Sequence, residues 1–132
     1  MHGLTFNFVK TAADGSYVRG WASVVSIDGE PVVDFHGDMI SIDELRKSAH
    51  DFMLNVRVAK HEHGRDGIVD AAGDVVEAII VDDDLAKALG ITDGRRGLFI
   101  GMKISNEVVK AKIRAGELTA FSIGGRGQRI AA

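Results

Sequence analysis

Two short stretches hold the side chains best suited to chemistry. The first is Phe121-Ser122-Ile123-Gly124-Gly125-Arg126. A serine becomes a nucleophile when its hydroxyl is open, a base lies within reach and hydrogen-bond donors await the oxyanion. A serine at a strand end followed by two glycines meets the first and last needs, because glycine lets the backbone turn sharply and leaves its N–H open to a ligand. Gly124 and Gly125 are the candidate oxyanion donors, and Arg126 or Arg129 adds positive charge nearby. The residues before the serine are Thr119-Ala120-Phe121, so this is not a Gly-x-Ser-x-Gly elbow. The plainer reading of the same stretch is a buried strand serine followed by a turn.

The second stretch is His61-Glu62-His63. Imidazole titrates near neutral pH and is the usual base for a serine nucleophile. On a strand, residues two apart share a face, which puts His61 and His63 together and Glu62 opposite. Such a pair can also hold zinc, but a third ligand is then required. His36, Asp38, His50 and Asp70 are available, and none sits at a recognised spacing. The alternative is two partly exposed strand histidines. A third cluster, Asp82-Asp83-Asp84, reads as a solvated helix N-terminus, since it lacks the alternating ligands of a calcium loop. No cofactor and no metal are expected.

The elements that must position these residues follow from patterning. Tyr17 to Ser26 is β-branched and aromatic, a strand closed by Asp28-Gly29. Trp21 belongs to its core face. Val32 to Phe35 is short and extended. Ser41 with Glu44 forms a capping box, followed by Leu45, Ala49, Phe52 and Met53 at helical spacing to about Asn55. Val56 to His63 alternates as a strand, and Gly64 to Gly67 is a loop. Val75 to Val81 is nearly all apolar and is expected as a central strand. Asp82 to Leu89 is a short helix stopped by Gly90. Leu98 to Ile104 is a strand, and Ser105 or Asn106 caps a helix that buries Val108, Val109 and Ile113 and stops at Gly116. Leu118 to Ile123 is the last strand. The sum is an α+β domain of about six strands, a compact sheet or barrel flanked by two or three helices.

Composition sets the frame. The chain has 132 residues, 45% of them apolar, which suits one domain with one core. Sixteen glycines against a single proline indicate tight turns. Sixteen Lys and Arg against nineteen Asp and Glu give a net charge of −3 and no basic stripe, so no nucleic-acid partner is expected. No run of 18 apolar residues exists, so no membrane partner is expected either. Residues 1–10 carry no secretory pattern. The absence of cysteine excludes disulfides and thiolate chemistry and is compatible with a reducing compartment.

Several segments in order complete a pattern: Val18-Arg19-Gly20-Trp21-Ala22-Ser23-Val24, Val33-Asp34 with Gly37-Asp38, Asp51-Phe52-Met53, Val75-Val76-Glu77, Gly101-Met102-Lys103-Ile104, and Gly116-Glu117-Leu118 leading to Phe121-Ser122-Ile123-Gly124-Gly125. The set, from about Tyr17 to Arg126, resembles the XkdF-like prohead serine proteases of tailed phages and prophages. The resemblance implies kinship with the phage and herpesvirus capsid-maturation proteases. It implies their fold, a small mixed or antiparallel β-barrel or strongly curved sheet flanked by two or three helices. It also implies an endopeptidase that cuts scaffold and capsid precursor proteins, and sometimes itself, inside the assembling prohead in the bacterial host cytoplasm. Ser122 is then the nucleophile and His63 the base, with His61 the alternative. A homodimer is a further implication.

The family pattern expects a third triad member on a strand after the serine, often a carboxylate. Ile123 to Ala132 contain no Asp, Glu or His. Three readings stay open: residues 1–132 form a protease domain truncated at its C-terminus, or a processed form, or an upstream group such as Glu77 or His61 orients the base. A non-catalytic module of the same fold and a metal-dependent hydrolase using His61 and His63 are the competing functions.

Overall fold

A computed structural model describes residues 6–33, 37–56, 73–122 and 130–131. Its framework is two long strands. β2 (Tyr17–Ile27) and β5 (Arg95–Ile104) pair antiparallel from Tyr17↔Lys103 to Ile27↔Arg95, with register shifts at Trp21/Ser23 and Val24/Ser26. β2 is dense in β-branched and aromatic residues, and β5 carries Phe99, Ile100 and Ile104, types that suit a pleated, half-buried surface. Short β1 (Lys10–Thr11) and β3 (Glu30–Pro31) pair with β2, and β4 (Gly73–Val81) pairs antiparallel with β5. The β2–β3 turn uses Asp28 and Gly29, both at positive φ, as the Asp-Gly signal requires.

The helices start where their caps lie. α1 (Ile42–Asp51) opens with the complete capping box between Ser41 and Glu44. It passes into a π-helical turn, Phe52–Val56. α2 (Asp83–Leu89) is capped by the Asp82 side chain and stopped by Gly90 in the left-handed conformation. α3 (Glu107–Arg114) is capped by Asn106.

The sheet carries a core on each face. On one face Val18, Val75, Leu98, Ile100, Met102 and Phe121 pack with Leu45 and Ala49 of α1 and Ile113 of α3. On the other, Trp21, Val24 and Val81 pack with Ala86 of α2. Trp21 meets Phe99 edge-on at 5.2 Å between ring centres. Arg95, chelated by Asp93, lies over both Trp21 and Phe6 and seals this second core.

Several expectations change. Of the sheet or barrel expected, the described residues show an open five-stranded sheet, ordered β1-β2-β5-β4 with β3 beside β2 and not closed into a barrel. The α+β class holds, and the herpesvirus-protease likeness stays an expectation of the resemblance. Among the described residues β4 sits at the end of that order and not at its centre. Its apolar run suggested burial on both faces, but Val75 and Val81 alone are buried while residues 76–79 are exposed. Val108 is 64% exposed, because α3 turns Val109 and Ile113 to the sheet instead. Of the expected 118–123 strand, the described residues form strand at β6 (Phe121–Ser122), paired parallel with β7 (Ile130–Ala131), while Ile123 lies outside them. Val56 falls in the π-helical turn, and the rest of the expected 56–63 strand lies outside the described residues.

Gly97 marks a close approach of the two long strands. A Cβ there would run into the Ser23 carbonyl and Val24 Cα, beside the β2 register shift. Gly97→Ala should cost about 1–3 kcal/mol by overpacking. Urea denaturation reads this directly, and a wild-type midpoint would show that β2 shifts freely away from β5.

Candidate functional site

The chain reaches Ser122 through a well-anchored lead. The Phe8 N–H donates to the Thr119 carbonyl at 2.7 Å, and Asn7 bridges Ala120. Phe121 is buried and packs edge-on against Phe8, with ring centres 4.8 Å apart. Ser122 then pairs in register with Ala131. Its backbone is thus held between a core phenylalanine and β7. His61, His63, Gly124 and Gly125 lie outside the described residues, as do Arg126, Arg129, His36 and Asp70. His50 is exposed near the end of α1. Among the described residues no group of three or more His, Asp or Glu is placed to hold a metal.

Glu77 is described in full, and it has partners that sequence reasoning missed. On the face of the sheet shared by Tyr17, Arg19, Gly101 and Glu77, the Tyr17 hydroxyl donates a short hydrogen bond to Glu77 Oε1. Arg19 Nε donates to the Tyr17 Oη at 2.9 Å, and the Arg19 guanidinium pairs with Glu77 Oε2 at 3.3 Å. The trio spans three strands, β2, β5 and β4. It lies flat because residue 101 is glycine, whose Cβ would otherwise strike the Glu77 carboxylate and the Tyr17 hydroxyl. The signal for it was present in the sequence as Tyr17-x-Arg19 and Gly101, but only the register brings the three together. Beside the trio is a shallow depression of about 260 Å³, lined by Arg19, Glu77, Ala78, Ile79, Phe99, Ile100 and Gly101.

The electrostatics follow from these bonds. The Tyr17 hydrogen bond, and then Arg19, hold the Glu77 carboxyl below its ordinary range. Burial, and then the Glu77 carboxylate, push the Tyr17 phenol above its own. At neutral pH the trio is a phenol between a guanidinium and a carboxylate. Such a set fixes strands in register and presents a polar rim, but it holds no base free near neutral pH.

The family can now be stated from comparison. Residues 8–131 match the family described as "Putative phage serine protease XkdF". The chain belongs to this family. It is similar to the "Uncharacterized protein YqbD" of Bacillus subtilis (strain 168), with 32% identity over 108 residues, which is 81% of this chain and 32% of that protein. It is likewise similar to the "Phage-like element PBSX protein XkdF" of the same organism, at 31% over 103 residues, covering 77% of this chain and 36% of the relative. The chain spans about a third of the length of both relatives. No solved structure matches it significantly. Among the described residues, no helix is long and apolar enough to cross a membrane.

The clamp predicts a pH signature. A carboxyl depressed in the folded chain contributes stability above the unfolded carboxylate pKa, and that contribution is lost as pH falls through the folded value. Glu77→Gln should therefore destabilise the chain at neutral pH, and the difference from the parent should shrink toward about pH 3. Urea midpoints of both proteins at the two pH values test this. A difference that does not change with pH would mean that the carboxylate charge has no part in the clamp.

Proposed function

We propose that this chain is the catalytic domain of a prohead serine endopeptidase that processes scaffold and capsid precursor proteins. The observation that carries the reading is the family match across residues 8–131, in a family described as phage serine proteases. Ser122 is the nucleophile and His63 the general base, with His61 the alternative. Imidazole removes the Ser122 proton as Oγ attacks a peptide carbonyl, and backbone N–H groups near Gly124 and Gly125 receive the oxyanion. The same imidazole protonates the leaving amine, and water releases the acyl group. No metal or cofactor enters these steps. The place of action is the host cytoplasm, inside the assembling shell. The anchoring of Phe121 against Phe8 supports the assignment, because a nucleophile must be held on a rigid lead.

A fluorophosphonate probe tests this directly. One adduct on the parent chain by intact mass, and none on Ser122→Ala, is the expected result. Against a cleavable precursor, Ser122→Ala should lower kcat by about 10⁴-fold or more while leaving the unfolding midpoint near that of the parent. His63→Ala should lose more activity than His61→Ala, and the opposite order would move the base to His61. No adduct on either chain would favour a non-catalytic module of the same fold. Loss of activity on chelation would favour a metal hydrolase.

A further inference from the structure

β4 has an unusual edge. Among the described residues its only strand neighbour is β5, on one side. Natural edge strands are usually short or guarded by lysine or proline. β4 is nine residues long and contains neither, and its one irregularity is the register shift between Val75 and Glu77. Val76 and Ile79 are each 48% exposed, and Ala78 between them is exposed as well. Ile79 also lines the depression beside Glu77, together with Phe99, Gly101 and Arg19. Among the described residues, a row of main-chain donors and acceptors with no strand partner thus runs along β4 beside this hollow.

Charge selects the occupant. From Gly73 to Ala86 the chain carries Asp74, Glu77, Asp82, Asp83 and Asp84, and no Lys or Arg. Glu77 and Asp82 are engaged by Arg19 and Arg46. Asp83 meets Arg96 yet stays 93% exposed, and Asp84 beside it has no ion pair among the described residues. A second copy of β4 at this edge would bring the same carboxylates again and no cation, which disfavours pairing between like strands. A strand with an apolar middle and basic ends meets both the apolar centre and the acidic end.

We propose that the outer edge of β4 binds an extended, basic-ended peptide segment by strand addition, with one apolar side chain packed on the exposed Ile79. The segment's main chain pairs with β4 along residues 76–80, and its terminal Lys or Arg meets Asp83 and Asp84. This deepens the protease reading by giving its substrate a place and a sequence character.

The test uses fluorescein-labelled peptides of alternating Val and Thr, with Lys at both ends or Glu at both ends, in anisotropy titrations. The Ser122→Ala chain serves as receptor so that nothing is cut. The Lys-ended peptide should bind at least about tenfold more tightly than the Glu-ended one, and amide shifts should centre on residues 76–80. Val76→Lys and Ile79→Lys, each checked for an unchanged unfolding midpoint, should weaken binding by about tenfold or more. The proposal is overturned by equal affinity for the two peptides, by no binding, by shifts elsewhere, or by parental affinity in both lysine variants. A dimer that dissolves in those variants would also overturn it, since the occupant is then a second copy. Peptide binding without a Ser122 adduct would leave this site standing and sink the protease reading, and an adduct without peptide binding would do the reverse.

Discussion

The antiparallel pairing of β2 with β5 is the constraint on which the other elements depend. It runs the whole length of both strands, from Tyr17↔Lys103 to Ile27↔Arg95. Each face of this ribbon supplies one core. Val18, Ile100 and Met102 look toward α1 and α3, while Trp21, Val24 and Phe99 look toward α2. The two register shifts in the pairing raise the local twist. Gly97 and Gly101 then matter for different reasons. The first lets β2 approach closely, and the second leaves room for the side chains that cross β5.

From that ribbon the molecule extends in two directions. On one side β4 hangs on β5 and is tied back to β2 by Tyr17, Arg19 and Glu77. On the other side Val9 donates to the Arg19 carbonyl, Phe8 takes the Thr119 carbonyl, and the chain arrives at Ser122. Arg19 belongs to both directions. Its side chain closes the clamp on β4, and its carbonyl receives the segment that leads to β6. Disturbing the register of β2 would therefore move the edge strand and the serine lead together.

What was legible in the sequence was local. The Ser41–Glu44 box, the Asp82 cap with its Gly90 stop, the Asp28-Gly29 turn and the burial of Trp21 each depend on a few neighbouring residues, and each is found in the fold. What was not legible depends on strand order. A run such as Val75 to Val81 looks the same whether it lies at the centre of a sheet or at its end, because period and composition do not report neighbours. Barrel closure is a global property of the same kind. The Tyr17–Arg19–Glu77 trio joins residues sixty positions apart and needs the β2–β5–β4 register before it can be seen. Of the candidate site, the serine was legible as a strand end. The histidines and glycines proposed around it lie outside the described residues.

The clamp bears on how a third triad member is sought. A residue that orients a catalytic imidazole must direct a carboxylate oxygen at one ring nitrogen. In this fold Glu77 directs Oε1 at the Tyr17 hydroxyl and Oε2 at Arg19, in space that a Cβ at residue 101 would invade. Turning the carboxylate toward a histidine would leave the phenol and the guanidinium without their acceptor and loosen β4 from β2. The geometry thus gives Glu77 a structural part first. An orienting role for it would have to be shared with that part. Glu77's substitution is accordingly read through stability and pH before it is read through turnover.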